Sequence, residues 1–220
     1  MKLYDTNVFP AFSTPIYVSN AVDFEEVIDL ENIDQEEFFK EEFSPELGDI
    51  GTVLNSKNQN ILLEDRYSKI KEYCDAAVSQ YAYDIIQIPK EIRLSLVCSW
   101  MIIGYPGAIT SRHIHQNSIF SGVFYIKSPE NAGNLLLSHP LSIPTCVSST
   151  IRPLFKENNI FNSKIFAHKP NDCDIIIFPS HVEHEVTRNM SGELRCCIAF
   201  NYFVEGTISP ANGERLSIRV

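Results

Sequence analysis

The stretch GYPGAITSRHIHQNSIFSGVFYI, residues 104–126, sets His113 and His115 one residue apart, just before a run of alternating apolar residues, in a chain with six histidines in all. In an extended segment side chains i and i+2 share a face, so this spacing converges two imidazoles. Neutral imidazole is the commonest side-chain metal ligand, and two of them can chelate one ion while a third donor arrives from a distant strand. DIIIFPSHVEHEV, residues 174–186, supplies candidates for that donor in His181 and His184, directly after a second apolar run. An HxH pair alone is weak evidence for a metal. The second histidine-bearing segment, with Arg195 beyond it, turns the pair into a candidate iron-type site.

The elements that must position these residues are short and extended. From about residue 91 the segments EIRLSLVCSWMIIGYPG, SIFSGVFYIKS, GNLLLSHP, DCDIIIFPS and LRCCIAFNYFVEG are β-type runs punctuated by Pro, Gly, Asn and Asp. Earlier, FPAFSTPIYV (9–18) reads as an edge strand or an arm laid over the body. Helical signals follow, as an irregular stripe of Val22, Phe24, Val27, Ile28, Phe38, Phe39 and Phe43 within 22–43, and as a stronger amphipathic pattern over 60–86. The expectation is a mainly β protein with flanking helices: an antiparallel double-sheet barrel, the double-stranded β-helix or jelly roll of cupin-like proteins. Residues 1–90 would form an arm and helices packed on the barrel, and 91–220 the core, in one compact unit.

Composition narrows the partners. The 220 residues include 28 acidic against 18 basic, a formal charge of −10, with acids crowded into 23–49, so nucleic acid is not the expected substrate. No apolar run is long enough to span a bilayer, and the opening MKLYDTNVFPAF lacks a secretory apolar segment, so the expected compartment is the cytoplasm, or a host's cytoplasm for a viral chain. The cysteines at 74, 98, 146, 173, 196 and 197 show no CxxC spacing and read as reduced packing residues.

GYPGAITSRHIH, then GVFYI, then IIIFPSHVEHEV, then LRCCIAFNYF together resemble the 2-oxoglutarate and Fe(II)-dependent oxygenases, in the prolyl-hydroxylase-like branch and a bacterial and phage group within it. The resemblance covers roughly 95–205, and the opening FPAFSTPIYV is also similar to that group. It implies His113 and His184 as metal ligands, with His115 standing where the family usually has aspartate. It implies Arg195 as the clamp on the far carboxylate of 2-oxoglutarate, Tyr125 as a hydrogen-bond donor to the same group, and Tyr105 as a wall of the cosubstrate pocket. The implied cofactors are Fe(II), 2-oxoglutarate as cosubstrate and O2, with ascorbate as an accessory. The implied activity is dioxygenase (hydroxylase) chemistry on an unidentified prime substrate, a peptide or a small molecule, with amino-acid side chains suggested by the branch. A homodimer is compatible with it.

The chemistry of the residues agrees with those roles. Three protein ligands leave three positions on an octahedral ion, enough for a bidentate 2-oxo acid and dioxygen, and a planar guanidinium binds a carboxylate through two parallel hydrogen bonds. His115 leaves three alternatives open: a third imidazole ligand, a second-layer group with water, Glu183 or Glu185 in its place, or loss of iron chemistry. Two rival functions also stand, a non-catalytic cupin-like metal-binding module and a three-histidine dioxygenase that needs no 2-oxoglutarate. His139, His168 and His181 read as structural or rim residues, Trp100 as core, and Gly104, Gly107 and Gly122 as turn glycines.

Overall fold

The computed structural model describes residues 8–10, 12–21, 34, 37–42, 51–139, 154–208, 213–214 and 216–219. Most of the expected helical stripe within 22–43, and Cys146, lie outside them. Twelve strands are described: β1 (Tyr17–Asn20), β2 (Phe38–Lys40), β3 (Val53–Ser56), β4 (Arg93–Gly104), β5 (Thr110–His113), β6 (Phe120–Lys127), β7 (Leu135–Ser138), β8 (Ile165–His168), β9 (Asp174–Pro179), β10 (His184–Val186), β11 (Arg195–Ile208) and β12 (Leu216–Ile218). They form two antiparallel sheets. The major sheet runs β1-β9-β6-β11-β4-β3-β2, with β12 paired to β11, and the minor sheet runs β5-β10-β7-β8. This is the expected mainly β jelly roll. Phe38 and Phe39, read as part of a helical stripe, instead lie in β2, where pairing with β3 overrides the local pattern.

β9 and β11 explain how the long apolar runs are used. Strands buried on both faces read as continuous hydrophobic segments. Ile175 and Ile177 of β9, with Cys196, Ile198 and Phe200 of β11, face a cluster shared with the helical region, whereas Ile176, Phe178 and Cys197 face a second cluster between the sheets. Arg195 is in phase with Cys197, two residues on, so period-2 alternation aims a guanidinium into the barrel.

The amphipathic segment 60–86 is not one helix. Short 3-10 turns at Ile61–Leu63 and Asp65–Tyr67 lead into α1 (Ser68–Ser79), and the chain continues in π-helical geometry over Gln80–Ile85. The Leu62 N–H donates to Ser99 Oγ at 3.0 Å, tying the first turn to β4. Ile70, Cys74, Ala77 and Val78 of α1 are buried at helical spacing, and the Tyr81 hydroxyl donates to the Pro15 carbonyl at 2.9 Å, fastening the N-terminal arm. The described cysteines are all free. Among the described residues no helix is long and apolar enough to cross a membrane.

Two glycines expected in turns do different work. Gly122 lies within β6, where an added Cβ would sit 2.4 Å from the Phe200 ring, so its role is close packing. Gly104 ends β4 beside the guanidinium of Arg195, 3.5 Å from where its Cβ would be. Gly107, at φ +84°, does serve the Tyr-Pro-Gly turn.

Candidate metal centre

β5 ends at His113, β10 begins at His184, and the two residues stand directly opposite each other in the antiparallel pair. Opposed residues share a face, and the ring centroids are 4.2 Å apart. His115 lies just past β5, where its backbone N–H donates to the Ser180 carbonyl at 3.1 Å. This brings its ring to 5.1 Å from His113 and 5.0 Å from His184. One nitrogen from each of the three rings lies within 4.8 Å of the others, the separation at which they could hold a single cation.

The protonation pattern suits ligation. Nδ1 of His113 lies 2.7 Å from the Ser111 carbonyl, and Nδ1 of His184 lies 3.0 Å from the Val182 carbonyl. A carbonyl only accepts, so in the neutral form of each ring Nδ1 carries the proton and Nε2 offers its lone pair. Burial, reinforced by repulsion from the neighbouring imidazoles, lowers the pKa of His115 to about 3 and that of His184 to about 4. Both are therefore neutral near pH 7, the form that binds a metal.

No carboxylate joins this cluster among the described residues. Glu183 and Glu185 flank His184 on the opposite side of the strand and turn to Arg112, at 3.6 Å and 3.1 Å. His181 is exposed and stands outside the three-ring group. Trp100, expected in the core, is only partly buried, and its ring lies 5.6 Å from that of His115. Phe178 packs on His184 from the other sheet, at 4.8 Å.

Arg195 is 2 % exposed. Its guanidinium makes one long hydrogen bond, 3.4 Å to the Ala132 carbonyl, and its Nε is buried without a partner. No carboxylate among the described residues lies within ion-pair distance of it. A buried cation left this way is costly, and an anionic ligand would relieve the cost. Tyr125 of β6 pairs with Cys197 of β11 and shares its barrel-facing cluster. Burial first, then Cys197, raises the phenol pKa against the opposing pull of Arg195, so Tyr125 remains a hydroxyl donor. The donor set, three imidazole nitrogens in a barrel that also buries a guanidinium with an unsatisfied Nε, fits a first-row divalent cation together with a carboxylate-bearing ligand.

Tyr105 packs instead with the helix-side cluster. Its backbone N–H donates to Thr52 at 2.9 Å. Two further arrangements carry no sequence signal. Asn189, 1 % exposed, donates to the carbonyls of Gly104 (3.2 Å), Tyr105 (3.3 Å) and Glu193 (2.8 Å), clamping the Tyr-Pro-Gly turn to the loop before Arg195. His168 of β8 and Asp174 of β9 face each other across the two sheets at 3.3 Å, within ion-pair reach but without hydrogen-bond geometry at Nε2. Only the tertiary fold brings these groups together.

Comparison with known proteins agrees with this geometry. Residues 98–201 match the family described as "Putative 2OG-Fe(II) oxygenase". No curated protein matches the chain by sequence. Among solved structures, the fold is similar to a 2OG-Fe(II) oxygenase family oxidoreductase from Burkholderia pseudomallei (13% identity, TM-score 0.51, covering 76% of this chain and 72% of that one). It is also similar to the non-heme alpha ketoglutarate dependent epimerase SnoN from nogalamycin biosynthesis (13%, 0.54, 80% and 71%). AviO1 from Streptomyces viridochromogenes is a further likeness (14%, 0.50, 84% and 79%). The matched segment, residues 98–201, holds all three imidazoles and Arg195, so the part of the chain that is similar to the 2-oxoglutarate/Fe(II) oxygenases is the part that builds the site.

Proposed function

We propose that the protein is a 2-oxoglutarate- and Fe(II)-dependent dioxygenase that hydroxylates an unactivated carbon of its prime substrate. One oxygen atom of O2 would enter succinate as 2-oxoglutarate loses CO2, and the other would convert a substrate C–H to C–OH. The observation that carries this reading is a three-imidazole cluster inside a barrel that also buries an uncompensated guanidinium.

His113, His115 and His184 would hold the metal, with the backbone carbonyls of Ser111 and Val182 fixing the tautomers of the first and last. Fe(II), when bound, supplies the redox centre at which dioxygen is activated. Arg195 would take the distal carboxylate of the cosubstrate, and the Tyr125 hydroxyl would donate to it. Ile102, Val123, Ile176 and Phe178 belong to the apolar cluster that contains Tyr125 and would limit water around the bound ligand. His115 in place of a carboxylate leaves one more unit of positive charge on the metal site, which strengthens its hold on the anionic 2-oxo acid.

Adding 2-oxoglutarate to the anaerobic Fe(II)-loaded protein tests the proposal, because chelation of Fe(II) by the 2-oxo acid gives a visible charge-transfer absorption. Tight iron binding with no absorption, and no succinate formed on admitting air, would instead favour a three-histidine dioxygenase or a structural metal module.

A further inference from the structure

The two sheets meet along a seam between β1, at one edge of the major sheet, and β8, at one edge of the minor sheet. The seam is latched at the level of Tyr125. Asp174 accepts from Asn20 Nδ2 of β1 at 2.8 Å and faces His168 of β8 at 3.3 Å, so one carboxylate ties both edges. Further along the seam, at Phe166 of β8 and at Ile16 just before β1, it opens into a cavity of about 810 Å³.

This cavity shares a sheet face with the metal centre, from which Leu137 separates it. His113, His184, Leu137 and Phe166 stand opposite one another in succession across the minor sheet, so all four lie on one face. Ile16, Leu137 and Val182 line the cavity and also belong to the cluster around Phe178 between the sheets, and Phe178 packs on His184. The row that begins with metal-ligating residues therefore ends in the cavity wall.

The lining has a definite chemistry. Phe9, Phe12 and Phe166 contribute rings that are 79 %, 100 % and 46 % exposed, and Ile160, Phe161 and Ile165 add more apolar surface. Among the described residues that line the cavity none is acidic, and the ionisable ones are Lys164 and His139. The volume is that of a small-molecule site. β8, at four residues, offers little edge for strand addition by a peptide.

We propose that this cavity is the prime-substrate pocket of the metal centre, and that its occupant is a small amphipathic molecule with an apolar body and an anionic end, of the class of a medium-chain carboxylate. The inference rests on the oxygenase reading above. The apolar body lies along Ile16, Leu137 and Phe166, its inner end directed toward the histidine row, and the anion is held at the rim by Lys164, away from the acidic remainder of the surface.

The test uses the full chain with dodecanoate as probe, followed by displacement of the fluorescent anion 1-anilinonaphthalene-8-sulfonate from the metal-free protein. Saturable binding of one dodecanoate per chain is expected. Phe166→Glu and Lys164→Glu should each weaken it by about tenfold, while Ile85→Ala, exposed outside the cavity, should leave it unchanged. With Fe(II), 2-oxoglutarate and air present, dodecanoate should accelerate succinate release in the wild type and not in Phe166→Glu. If Phe166→Glu fails to fold, Phe12→Glu, at a fully exposed position, carries the same expectation. Absence of dodecanoate binding, binding indifferent to these substitutions, or a second copy of the chain or an apolar peptide covering the face in its place overturns the proposal. The charge-transfer absorption is read on the same samples. Absorption without dodecanoate binding overturns the pocket alone, whereas dodecanoate binding without absorption overturns the oxygenase reading while supporting the ligand class.

Discussion

Arg195 offers a prediction in which stability and function move in opposite directions. Its guanidinium is buried, has one long hydrogen bond and leaves Nε unsatisfied. A buried donor without a partner costs about 1–3 kcal/mol, and more when charged. Arg195→Met fills most of the same volume and removes both the charge and the orphan, so the ligand-free protein should gain roughly 1–3 kcal/mol. For a chain of this size each kcal/mol moves Tm by about 2–4 °C, so melting should shift up by roughly 2–12 °C. The ligand reverses the order: at one hundred times its Kd, 2-oxoglutarate should stabilise the wild type by about 2.7 kcal/mol. The variant, lacking the carboxylate clamp, should gain almost nothing. Calorimetric melting of both proteins under anaerobic Mn(II), with and without 2-oxoglutarate, measures all four states. If Arg195→Met melts lower than wild type without ligand, and 2-oxoglutarate still raises it, the guanidinium is a structural group and the argument from its unmet hydrogen bonds is wrong.

Further expectations follow from the same residues. His113→Ala and His184→Ala should each weaken Fe(II) binding by at least about 100-fold in anaerobic titration, whereas His115→Asp should retain binding and the 2-oxoglutarate absorption at a shifted wavelength; loss of both would show that the third imidazole is indispensable. Burial lowers the pKa of His168 despite the opposing influence of Asp174, so below the unfolded value near 6.5 the unfolded chain takes up the proton more readily than the folded one. Stability should therefore fall as pH drops from about 6.5 toward 5, and His168→Gln should flatten that part of the denaturation profile; an unchanged slope would remove His168 from the account. Gly122→Ala would place a Cβ 2.4 Å from the Phe200 ring and 2.7 Å from the Ile176 carbonyl, and should cost about 1–3 kcal/mol by overpacking, read as a lower Tm; a neutral result would mean β6 can shift within the sheet.

The chain's own pattern carried the larger part of the fold and the core of the site. Alternation in β4, β6 and β11, continuous apolar runs in β9, and Pro, Gly and Asn punctuation specify short antiparallel strands, because a period of two and local turn chemistry are written residue by residue. The HxH spacing likewise announces two imidazoles on one side of an extended segment, and their neighbours announce the family. The third imidazole becomes a neighbour only when β10 pairs with β5, bringing together His113 and His184, 71 positions apart in the chain (184 − 113), and no local rule sets that register. The same holds for the exposure of Trp100 toward His115, for Asn189 as a clamp on the Tyr-Pro-Gly turn, for the division of 60–86 into 3-10, α and π segments, and for the β2 strand at Phe38. The unsatisfied Nε of Arg195 and the cavity at the β1–β8 seam were also decided by tertiary structure, since both depend on how two sheets fit together. Side-chain periodicity is a property of single segments, whereas burial without a partner is a property of everything that surrounds them.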